Sequence, residues 1–280
     1  MADGGEDVDE HVRQVASALG LSIIGPFAHG TFGAFAVATA DGEELVLKAQ
    51  PDPTLEPVWA TGAEMAARLH ERGYPNPRII RVGSTGAAVW SLQERLAGEV
   101  LRRLTPTHAA QLIALAGRHA VDSGRSRPWR EEAVAAARDW LSSTPVDPDH
   151  GRVLAAAIDR GERAEILRTT IVHGDFHHGN ALFEGDEITG VIDWEVAGPG
   201  DWRFDLVMLA FGCHIRPDTC EPAASELVTK AVRSHCPDDV AALMMACQVL
   251  RLASMIAARS PDRAAEACGR MVSALDRWLR

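Results

Sequence analysis

Apolar and polar positions change period along the chain, and those changes mark the elements. Residues 8–19 (VDEHVRQVASAL) follow a helical period and end at Gly20, which predicts a short amphipathic helix. Apolar, β-branched residues at Ile23–Ile24 and Phe35–Thr39 predict strands, and Asp41-Gly42 is a type I′ hairpin signal. Glu44–Gln50 (ELVLKAQ) reads as a third strand with Val46 and Lys48 on one face and Leu45 and Leu47 on the other. The first turn of this antiparallel meander is His29-Gly30-Thr31-Phe32-Gly33. Pro51 and Pro53 end the strand. Helical spacing follows over 55–72 (Val58, Met65, Leu69) and is stopped by Gly73 and Pro75. Strands are expected at Arg78–Val82 and Ala87–Gln93. Beyond Leu96-Ala97-Gly98 the pattern becomes mostly helical: 105–121, 129–142 and 148–160, then short strands at Thr170–His173, Ala181–Phe183 and Glu187–Ile192, then helix to the end. The expectation is an α+β chain with a small strand-rich part, 1–95, and a larger helical part, 96–280.

Charge narrows the partners. The 280 residues carry 39 acids and 28 bases, a net charge of −11, and only two of the bases, Lys48 and Lys230, are lysine. Such a chain is repelled by nucleic-acid backbones and anionic membrane surfaces, and attracts cations. Five cysteines (Cys213, Cys220, Cys236, Cys247, Cys268) without a C-x-x-C read as reduced core thiols rather than a disulfide framework. Asp3, Glu6, Asp7, Asp9 and Glu10 precede the first base, Arg13, the opposite of a secretory leader. Residues 14–40 are uncharged, but Gly20, Gly25, Pro26, Gly30 and Gly33 interrupt them, which argues against a spanning helix. A cytoplasmic protein, monomeric or weakly dimeric, is expected.

The chemistry concentrates in TTIVHGDFHHGNALFEGDEITGVIDWEVAGPGDWRFD, residues 169–205. A strand delivers His173-Gly174-Asp175, and Asn180 follows five residues after Asp175. A hairpin at Glu184-Gly185-Asp186 returns the chain so that Asp193 comes back beside that loop. Two carboxylates and a carboxamide are hard oxygen donors, a set that suits Mg²⁺ and leaves waters for phosphates to replace. The His173, His177 and His178 cluster is read as part of that loop and not as a zinc site.

H-G-D-x-x-x-x-N followed by I-D-W-E resembles the catalytic loop and metal motif of the aminoglycoside phosphotransferase family, the antibiotic and small-molecule kinases of protein-kinase-like fold. The resemblance covers roughly residues 20–212. It implies a bilobal kinase-like fold, ATP or GTP with Mg²⁺ as cofactors, Asp175 orienting the substrate hydroxyl or accepting its proton, and Asn180 and Asp193 binding the metal. It makes His173 a structural member of the loop and Asp205, in GDWRFDL, its brace. Phosphoryl transfer needs alignment and charge neutralisation more than covalent help, which fits such a set.

A kinase also needs a cation on the third strand, and Lys48 stands there. Its expected partner is Glu64 in the following helix, with Glu56 in reserve. Gly30, Thr31 and Gly33 would let backbone N–H groups approach the phosphates. Val89–Glu94 and its exit resemble the family hinge, with the backbone of Gln93 and Arg95 holding the purine.

From Thr169 to Val240 there are 13 acids against Arg203, Arg216, Lys230 and Arg233, a net −9. Clustered acid beside an active site draws cationic ligands. The expected acceptor is a hydroxylated cationic antibiotic, an aminoglycoside or a viomycin- or capreomycin-type cyclic peptide, touched by Glu195, Asp201, Trp202 and Asp218, with resistance as the outcome. The alternatives are a metabolic kinase of choline, homoserine or a sugar-like alcohol, and a nucleotide-binding pseudokinase scaffold.

Overall fold

The structure is a computed structural model that describes residues 3–27, 33–143 and 146–279. It divides into two compact units, one of Met1–Val100 with Asn180–Gly198, the other of Leu101–Gly179 with Pro199–Arg280. The stretch Asn180–Gly198, counted above with the helical part, therefore packs with the strand-rich unit.

The first unit begins with helix α1 (Asp3–Leu19), followed by strands β1 (Ser22–Pro26), β2 (Ala34–Ala38) and β3 (Glu44–Gln50). Helix α2 (Glu56–His70) comes next, then β4 (Ile79–Ser84) and β5 (Val89–Glu94). These five strands form one sheet in the order β1-β2-β3-β5-β4, antiparallel throughout. Strand alternation decides which side chains meet α1: Phe35, Val37, Leu45, Leu47, Ala49, Trp90 and Leu92 form one buried cluster with Val12, Val15 and Ala16. A fully buried Val, Leu or Phe contributes about 1.5–3 kcal/mol, so a charge at Val15 would undo this face. Val46 and Lys48 lie on the opposite face, in register with Gln93 and Ser91 of β5. A second sheet, of β6 (Glu99–Val100), β8 (Ala181–Glu184) and β9 (Glu187–Val191), completes this unit.

The second unit is helical: α3 (Pro106–Gly117), α4 (Trp129–Ser143), α5 (Pro148–Gly161), α6 (Arg203–Ile215), α7 (Pro222–His235), α8 (Asp238–Arg259) and α9 (Pro261–Leu279). Strand β7 (Thr170–Val172) and the short β10 (Gly198–Gly200) make a two-stranded ribbon. Thr105 caps α3 and Asp147 caps α5 through their side chains, each followed by a proline whose missing N–H costs nothing there. Helix α8 is long and apolar enough over Asp238–Ala257 to cross a membrane, yet 61% of its most apolar stretch is buried inside the protein, and it packs on α4, α5, α6 and α9. That is the environment of a core helix. The five cysteines are free thiols, four of them buried. Burial pushes Cys236 and Cys247 each up to about 12.

Candidate active site

In the first unit the site is built around Lys48. Strand alternation turns its side chain away from the α1 core, and it is buried. Its Nζ lies 2.5 Å from Asp193 Oδ1 and 2.8 Å from Glu195 Oε1. Burial by itself would discharge this ammonium, but the Glu195 and Asp193 carboxylates outweigh it and hold the pKa above the ordinary lysine value. Glu64, the expected partner, instead pairs with Arg68 at 3.2 Å. Glu56 bonds Ser84. Glu195, expected to touch the acceptor, is thus the second carboxylate on Lys48.

Packing from α2 places Glu195. Tyr74 meets Trp194 edge-on at 5.7 Å, and Gly62 of α2 sits so close that a Cβ there would come within 2.1 Å of the Trp194 carbonyl oxygen. The glycine is needed for this approach. Asp193 itself has φ 70, the single left-handed non-glycine among the described residues. It precedes the 3₁₀ turn Trp194–Val196 without capping it, so its carboxylate is not spent on local structure. Across the β8–β9 hairpin, the Asn180 carbonyl accepts the Ile192 N–H at 2.9 Å, which brings Asn180 beside the residue preceding Asp193. The carboxylate and carboxamide are hard oxygen donors, and this donor set fits a divalent cation such as Mg²⁺. No group of three or more His, Cys, Asp or Glu placed to hold a metal ion occurs among the described residues.

Ser91 and Gln93 share the Lys48 face and are buried, and Ser91 Oγ and Gln93 Oε1 have no hydrogen-bond partner among the described residues. Gln93 stands in register with Val46 on one side and Ile79 on the other. Its backbone is therefore inside the sheet, and a free hinge backbone begins only beyond Glu94, whose N–H bonds Arg78. Arg95 pairs with Glu44 and covers the Phe27 ring at 5.6 Å. Gly30 and Thr31 lie outside the described residues; Gly33 is half-buried just before β2.

In the second unit the Asp175 loop is held from below. Asp205, fully buried on α6, accepts the N–H groups of His173 (2.8 Å) and Gly174 (3.0 Å) and faces His119 Nδ1 at 2.8 Å. A carboxylate only accepts, so His119 carries its proton on Nδ1. His173 Nδ1 accepts the Asp175 N–H at 3.2 Å, and the ring is buried edge-on to Phe176. Gly174 takes φ 82, which a side chain would strain.

The Asp175 carboxylate meets a guanidinium and an imidazole. Arg251 Nη2 of α8 donates to Oδ1 at 2.8 Å, and His177 Nε2 lies 3.7 Å from Oδ2. Burial would raise the Asp175 pKa, but His177 and Arg251 reverse that and hold it well below the usual carboxylate range. His177 Nδ1 accepts the Gly179 N–H, which leaves Nε2 as the nitrogen bearing the proton toward Asp175. His178 is buried and pushed down to about 4 by burial, Arg216 and His177. Arg251 and His119 were not foreseen. The signal for Arg251 is that it is the sole charge in residues 240–258.

The remaining acceptor candidates divide. Asp201 is buried and spent: it takes Arg203 Nε at 2.8 Å and the backbone N–H groups of Leu167 and Arg203. It secures a loop and is not open to a substrate. Trp202 is half-buried beside His235, ring centroids 5.7 Å apart, and Asp218 is exposed in the Pro217–Thr219 turn.

A sheet lysine fixed on an Asp that follows a short hairpin, and an Asp-bearing loop braced by a buried carboxylate, are the working parts of a kinase-like phosphotransferase. Residues 24–238 match APH, the phosphotransferase enzyme family, and the chain belongs to it. An aminoglycoside 3′-phosphotransferase of Streptomyces fradiae is 28% identical over 60% of this chain and 69% of its own. A homoserine kinase of Pseudomonas aeruginosa is 29% identical over 62% of this chain, and the match spans 60% of that enzyme. A thermostable mutant of aminoglycoside phosphotransferase APH(4)-Ia, in ternary complex with ADP and hygromycin B, shares the fold at a TM-score of 0.67 and 20% identity, covering 95% of this chain and 97% of that one.

Proposed function

We propose that this chain is a nucleoside-triphosphate- and Mg²⁺-dependent O-phosphotransferase that moves the γ-phosphate to a hydroxyl of a small molecule. The observation that carries this reading is the buried Lys48, kept charged by Asp193 and Glu195. Lys48 is suited to hold nucleotide phosphates, Ser91 and Gln93 offer unpartnered polar atoms on the same face to the rest of the nucleotide, and Asn180 and Asp193 would hold the cation. When bound, the cation neutralises charge on the transferring phosphoryl group. Asp175 receives the acceptor hydroxyl. With its pKa depressed it stays ionised, so it orients the hydroxyl and takes the proton late. A complete Lys48, Asp175, Asn180 and Asp193 set supports catalysis over a pseudokinase scaffold.

For the acceptor, a hydroxylated cationic antibiotic draws support from the net −9 of residues 169–240 and from the aminoglycoside enzymes among the relatives, with resistance as the cellular outcome. A second reading, a small metabolic alcohol such as homoserine, is favoured by one observation: Asp175 is paired with the Arg251 guanidinium, and Glu195 and Asp201 are already paired. The assay is purified protein with ATP or GTP, Mg²⁺ and a panel of aminoglycosides, capreomycin, viomycin, choline and homoserine, read by the mass gain of one phosphate. Asp175→Asn should abolish transfer while nucleotide binding persists. Transfer that survives Asp175→Asn would refute the assignment.

A further inference from the structure

Asp175 has to receive a hydroxyl, yet Arg251 occupies one of its oxygens and His177 lies beside the other. Arg251 rises from a helix stretch, 240–258, that has no other charge. Its Nε is fixed by Gln248 Oε1 at 3.2 Å and one Nη2 bond goes to Asp175. Its Nη1 has no hydrogen-bond partner among the described residues. The side chain is 37% exposed and that of Asp175 is 34% exposed, so a solute reaching the carboxylate meets the guanidinium as well.

We propose that Arg251 is a specificity-determining residue that binds an anionic group, a carboxylate, on the acceptor close to the hydroxyl being phosphorylated. This rests on the phosphotransferase reading above and deepens its second acceptor class. The guanidinium fork presents two donors in one plane, the geometry that matches a carboxylate, and one of those donors stands idle. An acceptor carboxylate that engages Nη1 and Nη2 draws the guanidinium off Asp175. The acceptor hydroxyl then takes the place of the guanidinium at Asp175 Oδ1. One contact thus selects the acceptor and releases the carboxylate that receives it. An acceptor with only ammonium groups must instead approach Asp175 past a fixed cation, which like-charge repulsion opposes.

The test uses the intact protein with AMP-PNP and Mg²⁺ and measures, by calorimetry, L-homoserine and 4-hydroxybutyrate against their amides, which keep the shape but replace the charged carboxylate and one of its acceptor oxygens with a neutral group bearing NH₂. The acids are expected to bind at least about tenfold more tightly than the amides, the discrimination of one charge-assisted hydrogen-bond pair. Arg251→Gln should erase that difference without weakening the amides, and Arg251→Lys should restore part of it. With ATP, the acid's KM should rise in Arg251→Gln by more than its kcat falls. Equal affinity of acids and amides, binding of neither, or an acid preference that survives Arg251→Gln overturns the proposal. Phosphorylation of an aminoglycoside or capreomycin, dependent on Asp175 and indifferent to Arg251→Gln, would overturn it while leaving the phosphotransferase assignment standing. Failure to bind AMP-PNP at all would sink the phosphotransferase assignment itself.

Discussion

Removing the Asp205 carboxylate should cost this protein both stability and turnover, and the size of each loss follows from three donors. Asp205→Ala leaves the N–H groups of His173 and Gly174 and the Nδ1–H of His119 without an acceptor, in a place with no solvent access. Each buried donor left unmade costs about 1–3 kcal/mol. A water admitted into the small vacated space would satisfy some of them, so about 4 kcal/mol is the working figure. At about 2–4 °C per kcal/mol for a chain of this size, melting should fall by about 8–16 °C. Asp205→Asn keeps one oxygen. Turned toward His119 and His173 it preserves two bonds and sets its NH₂ against the Gly174 N–H, a loss of about 1–3 kcal/mol and of about 2–8 °C. Turnover should drop further than stability suggests, because Gly174 adjoins Asp175 and a displacement of about 1 Å can cost about a hundredfold in rate. Scanning calorimetry on the wild type and both variants, with phosphate transfer measured well below each melting temperature, tests the argument. An alanine variant melting within about 2 °C of wild type would refute it. So would an asparagine variant as damaged as alanine, since charge rather than the count of acceptors would then be the cause.

Gly62→Ala should destabilise by about 1–3 kcal/mol, because the added methyl meets a backbone carbonyl oxygen at 2.1 Å and α2 must part from the turn that carries Glu195. Urea unfolding and the Km for ATP should both worsen, and an unchanged pair would show that the close approach is not required. His178 is pushed down to about 4 in the folded protein from an ordinary value of 6.5, so its contribution is complete above about pH 6.5 and is lost as pH falls toward 4. That amounts to roughly 3 kcal/mol over the window, and His178→Gln should flatten this part of the pH–stability curve as read from urea midpoints. None of the five cysteines should react with a thiol reagent on the timescale that labels all five in urea, since burial raises every thiol. Rapid labelling of Cys236 in the native protein would contradict its packing.

The parts legible in the sequence are those set by local chemistry. Alternation in ELVLKAQ fixes which face Lys48 occupies, because a slip by one residue would bury it in the α1 core. The hairpin between Asn180 and Asp193 follows from Glu184-Gly185-Asp186 with short strands on either side, and the observed register confirms it. What could not be read depends on tertiary docking. Helical spacing shows that Glu64 shares a face with other positions of α2, but not which turn comes near Lys48. That is decided by Gly62 admitting the Trp194 backbone, a contact between residues 132 positions apart. Gln93 is a hinge residue only by the family resemblance; strand pairing on both sides holds its backbone inside the sheet, which moves the free backbone beyond Glu94.

The same distinction corrects the use made of net charge. The surplus of acid in 169–240 supports a cationic acceptor only through the carboxylates left uncompensated, and a formal count does not say which these are. Asp175 meets Arg251 and His177, Asp193 and Glu195 share Lys48, Asp201 holds Arg203, and Asp205 takes His119 with two backbone N–H groups. Every acid from the catalytic loop through the start of α6, apart from those at the hairpin turn, is therefore tied to a partner within its own unit. The acids with open surface, such as Asp218, lie further along the chain. An ammonium-rich acceptor would be attracted by those exposed carboxylates, whose fields water and salt screen over about 10 Å, whereas an anion arriving at Asp175 meets a guanidinium in contact. Local compensation thus sets the sign of the field where the phosphate is transferred, and total charge does not.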